Sequence, residues 1–313
     1  MRVTFNTFPD TLLGRLQSLG GEQNKALTQL STGQRISAPS DDAPAMQRIL
    51  NLRTEKKQNQ QYYRNATDGL EISKVTFSSL DQIKDLVVRS SELAAGVSGA
   101  TSEQEYKAKA SEINQLIEQG INVANTKLRG NYLFAGNSNS TMPFVEDRTG
   151  GQITSVTYSG SNSESKIHVG EGESASIVVG SSADENKAIA DTLKSLIALR
   201  DAMQATPSAT KAQGVMSLRS NNTTSNTLPK PLDKIEDTIL SALSRAGTIQ
   251  YRLETVQKDL ELRYESSEKL ISTDADVDFA EATVRLNRSQ MAYQAAIQSG
   301  AKIQNTSLLD YLR

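Results

Sequence analysis

Cysteine is absent from the 313 residues, so disulfide staples, thiolate metal sites and a cysteine nucleophile are excluded, while the redox compartment stays open. Aromatic residues amount to 5 % and apolar residues to 37 %, below the share usual for globular chains, and mean hydropathy is -0.45. A chain of this length has room for two or three domains. With so little apolar material it is expected to bury narrow seams instead of one thick core. Neither sign of charge dominates: 34 Lys+Arg stand against 36 Asp+Glu, a formal net charge of -2. Nothing therefore favours nucleic acid or an anionic membrane surface as a partner. No stretch reaches the ~18 apolar residues of a membrane span. The opening MRVTFNTFPDTLLGRL lacks an apolar run long enough for a secretory signal core, so export would need another route.

Reactive chemistry is equally sparse. The one histidine, His168, sits in the β-type run KIHVG without a patterned acid, serine or cysteine, and reads as an ordinary strand residue. Asp274, Asp276 and Asp278 imitate the start of a calcium loop, but Phe279 stands where the turn needs glycine and Arg285 where the loop needs an acid. Helix capping accounts for these acids better. Gly170 and Gly172 lack the third glycine and the strand-to-helix setting of a dinucleotide fingerprint, and read as a turn. Met291 and Tyr293 read as packing residues, and the charged run from Arg53 to Lys57 as a solvated helix face. No catalytic, cofactor-binding or metal residue is assigned, no cofactor is expected, and the chain reads as a non-enzyme.

What the sequence does contain is helical periodicity. Leu12, Leu16, Leu19, Gln23, Ala26 and Leu30 alternate spacings of four and three, the seam of a helix meant to pair with another. Pro9 and Asp10 suit its start and Gly33 its end. Ser40, Asp41 and Asp42 offer capping oxygens and Pro44 fits a first turn. A helix then runs toward Val97 with a seam through Ile49, Leu52, Tyr63, Ala66, Leu70, Phe77, Leu80, Val87 and Ala94, roughly 80 Å at 1.5 Å per residue. Another carries Tyr106, Ala110, Ile113, Ile117 and Ala124 and has the length to fold back. Beyond Gly130 short β-type runs follow at Ile153 to Tyr158, Lys166 to Val169 and Ser176 to Val179. A helical stretch through Ile189, Leu193, Leu196, Leu199 and Met203 gives way to a polar loop reaching Pro229 and Pro231. Leu232, Ile235, Ile239, Ala242, Ala246, Ile249, Leu253, Val256, Leu260, Arg263, Ser267 and Leu270 then keep the alternation without a slip. A last helix has a thin stripe of Ala280, Val284, Met291, Ile297, Ala301 and Leu308.

The expected fold is mainly α with a β-rich insertion (α+β): an elongated molecule of long antiparallel helices in a coiled-coil bundle formed by both chain ends, with both termini at one pole. The expected divisions are a terminal coiled-coil segment at 1–37 plus 276–313, a long-helix bundle at 38–130 plus 230–275, and an inserted outer module at 131–229, β-rich at 131–183. Gln23, Asn287 and Asn305 in the terminal seams limit burial per turn, so two readings stand level: ends that are loose alone and order against each other and against neighbouring subunits, or an intramolecular coiled coil already stable alone.

Residues 27–49, LTQLSTGQRISAPSDDAPAMQRI, resemble the segment of the bacterial flagellin superfamily that links its terminal coiled coil to its long helical domain. The string NATDG at 65–69 is similar too, and residues 274–313 resemble the superfamily's C-terminal helix with its Leu-rich tail. MRVTFNT at the start, GNYLFAG at 130–136 and the ending SLLDYLR look more like the hook-associated, junction-forming members than flagellin itself. The resemblance implies a subunit exported through the flagellar type III apparatus and assembling at the hook-filament junction. It implies self-association in a ring or helical layer, with the first hook-associated protein, flagellin and a flagellar export chaperone as partners. The subunit-packing residues would be Leu12, Leu16, Leu19, Leu27, Leu30, Val284, Met291, Ile297, Ile303, Leu308 and Leu309. The rival readings are a flagellin filament subunit, a cytoplasmic coiled-coil scaffold, and a small enzyme housed in the β module.

Overall fold

The computed structural model describes residues 7–98, 100–172, 176–179, 182–205, 208–219 and 230–311. Among them the elements run α1 (Thr7–Thr32), α2 (Ala43–Ala95), α3 (Glu103–Ala124), β1 (Lys127–Leu128), β2 (Asn131–Tyr132), β3 (Phe144–Thr149), β4 (Gln152–Tyr158), β5 (Ser165–His168), β6 (Ser176–Val179), α4 (Ala183–Gln204), α5 (Ser208–Arg219), α6 (Leu232–Ala275) and α7 (Phe279–Tyr311). The chain is thus mainly α with a β-bearing insertion. Two compact units divide it, residues 1–59 with 262–313 and residues 60–261; both divisions fall inside helices, α2 and α6.

In the unit of residues 60–261, α2 turns a line of Ala66, Ser73, Thr76, Leu80, Ile83, Val87, Ser90 and Ala94 into the interior, spaced for a helix seam. The expected seam through Tyr63 and Phe77 is corrected: these rings stand on the flank, 40 % and 37 % exposed. Small hydroxyl residues fill the line instead, where α6 comes close enough for Ser73 Oγ to donate to the Ala246 carbonyl at 3.3 Å. Gln257 Nε2 reaches Thr67 Oγ1 at 2.8 Å, so α6 runs antiparallel to α2. On α6 the expected positions Leu232, Ile235, Ile239, Ala242, Ala246, Leu253 and Leu260 are all buried. Helix α3 starts on a reciprocal cap between Ser102 and Glu105 and folds back along α2: Arg89 meets Glu112 at 2.7 Å, and Lys109 Nζ donates to the Leu93 carbonyl at 3.1 Å.

Helix α4, capped by Ser182 with Glu185 in the same way, is buried on nearly every face. Ile189, Leu193, Leu196, Leu199 and Met203 join the core, but so do Asn186, Thr192, Ser195 and Arg200. Gly120 of α3 makes room for it, because a methyl group there would come within 2.9 Å of Leu193 Cδ2. The Arg200 side chain, 2 % exposed, crosses to the strands: Nη1 donates to the Ile153 carbonyl at 2.7 Å and to Asn114 Oδ1 at 3.0 Å, and Nη2 to Asp201 Oδ1 at 2.7 Å.

The strands pair only as antiparallel hairpins, β1 with β2, β3 with β4 and β5 with β6. In the β3–β4 hairpin Phe144 faces Tyr158 and Thr149 faces Gln152, with a shift of register between Asp147 and Arg148. Its turn is Gly150-Gly151 at φ 61 and 84°, the mirror-image geometry that matches strand twist. Strand β3 is an addition to the sequence reading: Glu146, Asp147 and Arg148 hide its alternation, and only Phe144 is buried. Helix α5 is a correction to the expected polar loop. Val215 and Leu218 are buried, and Lys211, equally buried, lies 2.6 and 2.7 Å from the two Glu103 oxygens. The remainder of that loop, 220–229, lies outside the described residues.

Replacing Arg200 by alanine is expected to lower the stability of the chain to urea by roughly 2–4 kcal/mol, because the Ile153 carbonyl and Asn114 lose a buried donor. Arg200→Met keeps the apolar stem and should lose less.

Candidate assembly surface

In the unit of residues 1–59 and 262–313 the two chain ends are tied at a corner. Gly33, at φ 69°, ends α1 with its amide on the Gln29 carbonyl at 2.9 Å, a left-handed cap glycine adopts without strain. The chain then pairs across: Arg35 N donates to the Ala275 carbonyl at 2.6 Å and Val277 N to the Gly33 carbonyl at 2.9 Å. Side chains hold the loop between α1 and α2. The Asp41 carboxylate accepts from the amides of Ser37 and Ala38 at 3.1 Å each and meets Lys25 Nζ at 2.8 Å. Lys25 first, and the two amides after it, bring its pKa down to about 2. Asp42 Oδ1 accepts from Ala45 N at 3.1 Å, opening α2. Arg48 grips Asp274 through two bonds of 3.1 Å, which lowers that carboxyl's pKa. Below them Ile36, Ala45, Ile49 and Ala275 form a small core, with Met46 and Ile271 against it. The unbroken alternation expected along α6 slips here: Ser267 is buried, Leu270 is 52 % exposed, and Ile271 packs instead.

From this corner α1 and α7 run back antiparallel. The Phe279 ring lies against Gly33, and Leu12 against Gly300 at the far end. Between them the α7 positions turned inward are Ala282, Leu286, Ser289, Tyr293, Ala296 and Gly300, at alternating spacings of four and three. They meet Leu12, Leu16, Leu19, Gln23, Ala26 and Leu30, all buried or half-buried as the seam of α1. Asp278 starts α7, its Oδ1 accepting from the amides of Ala280 and Glu281 at 2.9 and 3.2 Å, while Asp276 accepts from Ser272 Oγ at 2.5 Å.

The stripe read for α7 in the sequence therefore does not form the intramolecular seam. Val284 and Met291 are each 65 % exposed and Ile297 46 %, because they fall between the inward positions. Leu27 of α1, 50 % exposed, also faces outward. Of the proposed packing residues, Leu12, Leu16, Leu19 and Leu30 are brought together on the α1 seam, and Leu27, Val284, Met291 and Ile297 are left uncovered. Ile303, Leu308 and Leu309 lie outside the described side chains.

The string at 65–69 acquires a local role within the other unit. Ala66 joins Val169, Ile177 and Leu253 in a small cluster, Asn65 Nδ2 donates to the His168 carbonyl at 2.8 Å, and Asp68 takes Arg129 at 2.9 Å. This turn of α2 seats two hairpins. Periodicity gives the string no physical reason, since its hydrogen-bond partners outside α2 lie 61, 103 and 190 residues away. Among the described residues no group of three or more His, Asp or Glu is placed to hold a metal ion, and no helix is long and apolar enough to cross a membrane.

Residues 11–139 match the bacterial flagellin N-terminal helical region and residues 232–312 the bacterial flagellin C-terminal helical region. The chain belongs to the bacterial flagellin family. Flagellar hook-associated protein 3 of Escherichia coli is 26 % identical over 293 residues, 90 % of each chain. A flagellin of Halalkalibacterium halodurans is 32 % identical, but over 96 residues, 30 % of this chain and 35 % of that one. The structure of a flagellar hook-associated protein from Vibrio parahaemolyticus aligns with a TM-score of 0.61 at 17 % identity, over 75 % of this chain and 100 % of that one; the likeness is one of fold.

The flagellin-family regions begin within α1 and resume at the start of α6, so the corner, the α1–α7 pair and the docking turn of α2 lie inside them. The stretch between them, 140–231, carries β3 to β6, α4 and α5.

Asp41 should make the corner acid-sensitive. Its folded pKa of about 2 lies below an ordinary carboxyl near 4, so its stabilising contribution is complete above that value and is lost as pH falls toward 2. Amide exchange of residues 36–45 is expected to quicken across that window, and in Asp41→Asn to be fast already at pH 5.

Proposed function

We propose that this chain is a non-enzymatic structural subunit of the bacterial flagellum, placed where the hook-associated zone meets the flagellin filament. The observation that carries the reading is the extent of the likeness to the hook-associated relative, which covers 90 % of the chain and so runs through its middle, whereas the flagellin matches cover 30 to 40 % of it. In this reading the chain is secreted by the flagellar export route, its C-terminal helix held beforehand by an export chaperone. Once outside, it forms a ring or helical layer with copies of itself, between the first hook-associated protein and flagellin. Residues 1–37 with 276–313 are the assembly segment, 38–130 with 230–275 the helical layer, and 131–229 the outward module.

The uncovered apolar face of α7 supports a role in packing between subunits. Val284, Met291 and Ile297 gain nothing from the α1 pairing, and burying one such side chain is worth ~1.5–3 kcal/mol. A subunit that orders its terminal helices fully only against neighbours stays soluble during export and becomes fixed on arrival.

Immunogold labelling of intact flagella with antibody against residues 131–229 tests the placement. A single cluster between hook and filament is expected; label along the filament would make the chain a flagellin, and label confined to the cell interior would leave a cytoplasmic scaffold. The double variant Val284→Asp/Met291→Asp is expected to keep the helicity of the free chain in circular dichroism and to be secreted, yet to fail to incorporate. Normal incorporation would remove these residues from the packing face.

A further inference from the structure

We infer that the β1–β2 hairpin is a strap fastened along one wall of a cleft by an ionic latch at Arg129, and that the strap opens as a unit while the surrounding helices stay folded. The hairpin makes only two cross-strand residue pairs, Lys127 with Tyr132 and Leu128 with Asn131, too few to hold a ribbon by itself. Its two-residue turn needs positive φ at both places, for which Asn-Gly is the relaxed choice. Arg129, at φ 50°, stands at the first of them and Gly130, at 87°, at the second. Arg129 is the only residue other than glycine with positive φ among those described, and strain of this kind persists where the surroundings enforce it.

Two carboxylates on α2 supply the enforcement. Asp68 and Glu71, three residues apart and hence on one face, take the two terminal nitrogens of the guanidinium: Nη1 lies 2.9 Å from Asp68 Oδ1, and Nη2 meets Glu71 Oε2. The three side chains are 62, 52 and 43 % exposed, so the latch is wet and salt weakens it. Beside it opens a cleft of about 240 Å³ whose wall Asp68, Glu71 and Arg129 share with Ile72, Leu128 and Leu133. Two backbone bonds outside the β1–β2 pairing close the strap, Tyr132 N to the Asn139 carbonyl at 2.9 Å and Leu133 N to the Thr126 carbonyl at 3.1 Å. With the latch gone, a strained turn, these bonds and the packing of Leu128 and Leu133 on the core are what hold the strap.

Hydrogen exchange of the full chain tests this at the amides of Tyr132 and Leu133. Arg129→Asn keeps a residue suited to the turn and removes the latch; Asp68→Asn/Glu71→Gln removes it from the helix side. Both are expected to speed exchange at the two amides by roughly three- to tenfold, the range of an exposed ion-pair network, without change in α3 and α4. Raising salt from about 0.05 to 0.5 M should do the same to the unaltered chain and nothing to Arg129→Asn. Unchanged exchange in Arg129→Asn, a salt response that survives the substitution, or an equal rise throughout α3 and α4 would each overturn the strap.

Discussion

Two backbone hydrogen bonds, Arg35 N to Ala275 O and Val277 N to Gly33 O, fix where the beginning and end of this chain meet, and the rest of that unit is arranged by them. Helix pairs with thin seams slide unless something sets their phase. Here the phase is set at the corner, and the inward positions of α1 and α7 follow by counting turns away from it. The charges around the corner act on the same problem: Asp41, Asp42 and Asp278 each occupy amides that a helix end or a tight loop would leave unpaired.

The unit of residues 60–261 solves a different difficulty. A helix buried on almost all sides must carry its polar groups inside, and α4 pairs several of them, while Asn186 Oδ1 and Ser195 Oγ make no hydrogen bond among the described residues. Arg200 reaches a strand carbonyl, Asp191 lies 2.6 Å from Lys230 Nζ, and Asn186 donates to the Tyr158 hydroxyl at 2.7 Å. Glu185 is held there at a cost. Burial raises its pKa against the pull of the Ser182 amide and of Arg245, 3.9 Å away. Such groups add little net stability, but each tolerates one arrangement of its neighbours and so selects the packing of α4 among the alternatives a purely apolar helix would allow.

The positions and lengths of the long helices were legible because their periodicity is local, and so were β4 to β6. The faces were less so. Pattern alone counts Val284, Met291 and Ile297 as a seam because they are large and apolar, whereas the inward line interleaves Leu286 and Tyr293 with small residues, Ala282, Ser289, Ala296 and Gly300, that let α1 approach. The same preference displaced Phe77 in favour of Ser73 and Thr76. Helix α5 is hidden inside the polar stretch before Pro229 and strand β3 behind the charges of Glu146 to Arg148, and only a distant partner, Glu103 for Lys211, makes the buried place tenable. The strained turn at Arg129 was invisible for the same reason: the two acids that enforce it lie on another helix.

Gly300 has a geometric consequence beyond its own helix. A methyl group there would stand 2.5 Å from Leu12 Cδ2, so Leu12 would have to turn away or the helices part at that end. Parting there would open the pair from the end farthest from the corner, so the missing side chain at position 300 lets two thin seams stay closed over their whole length.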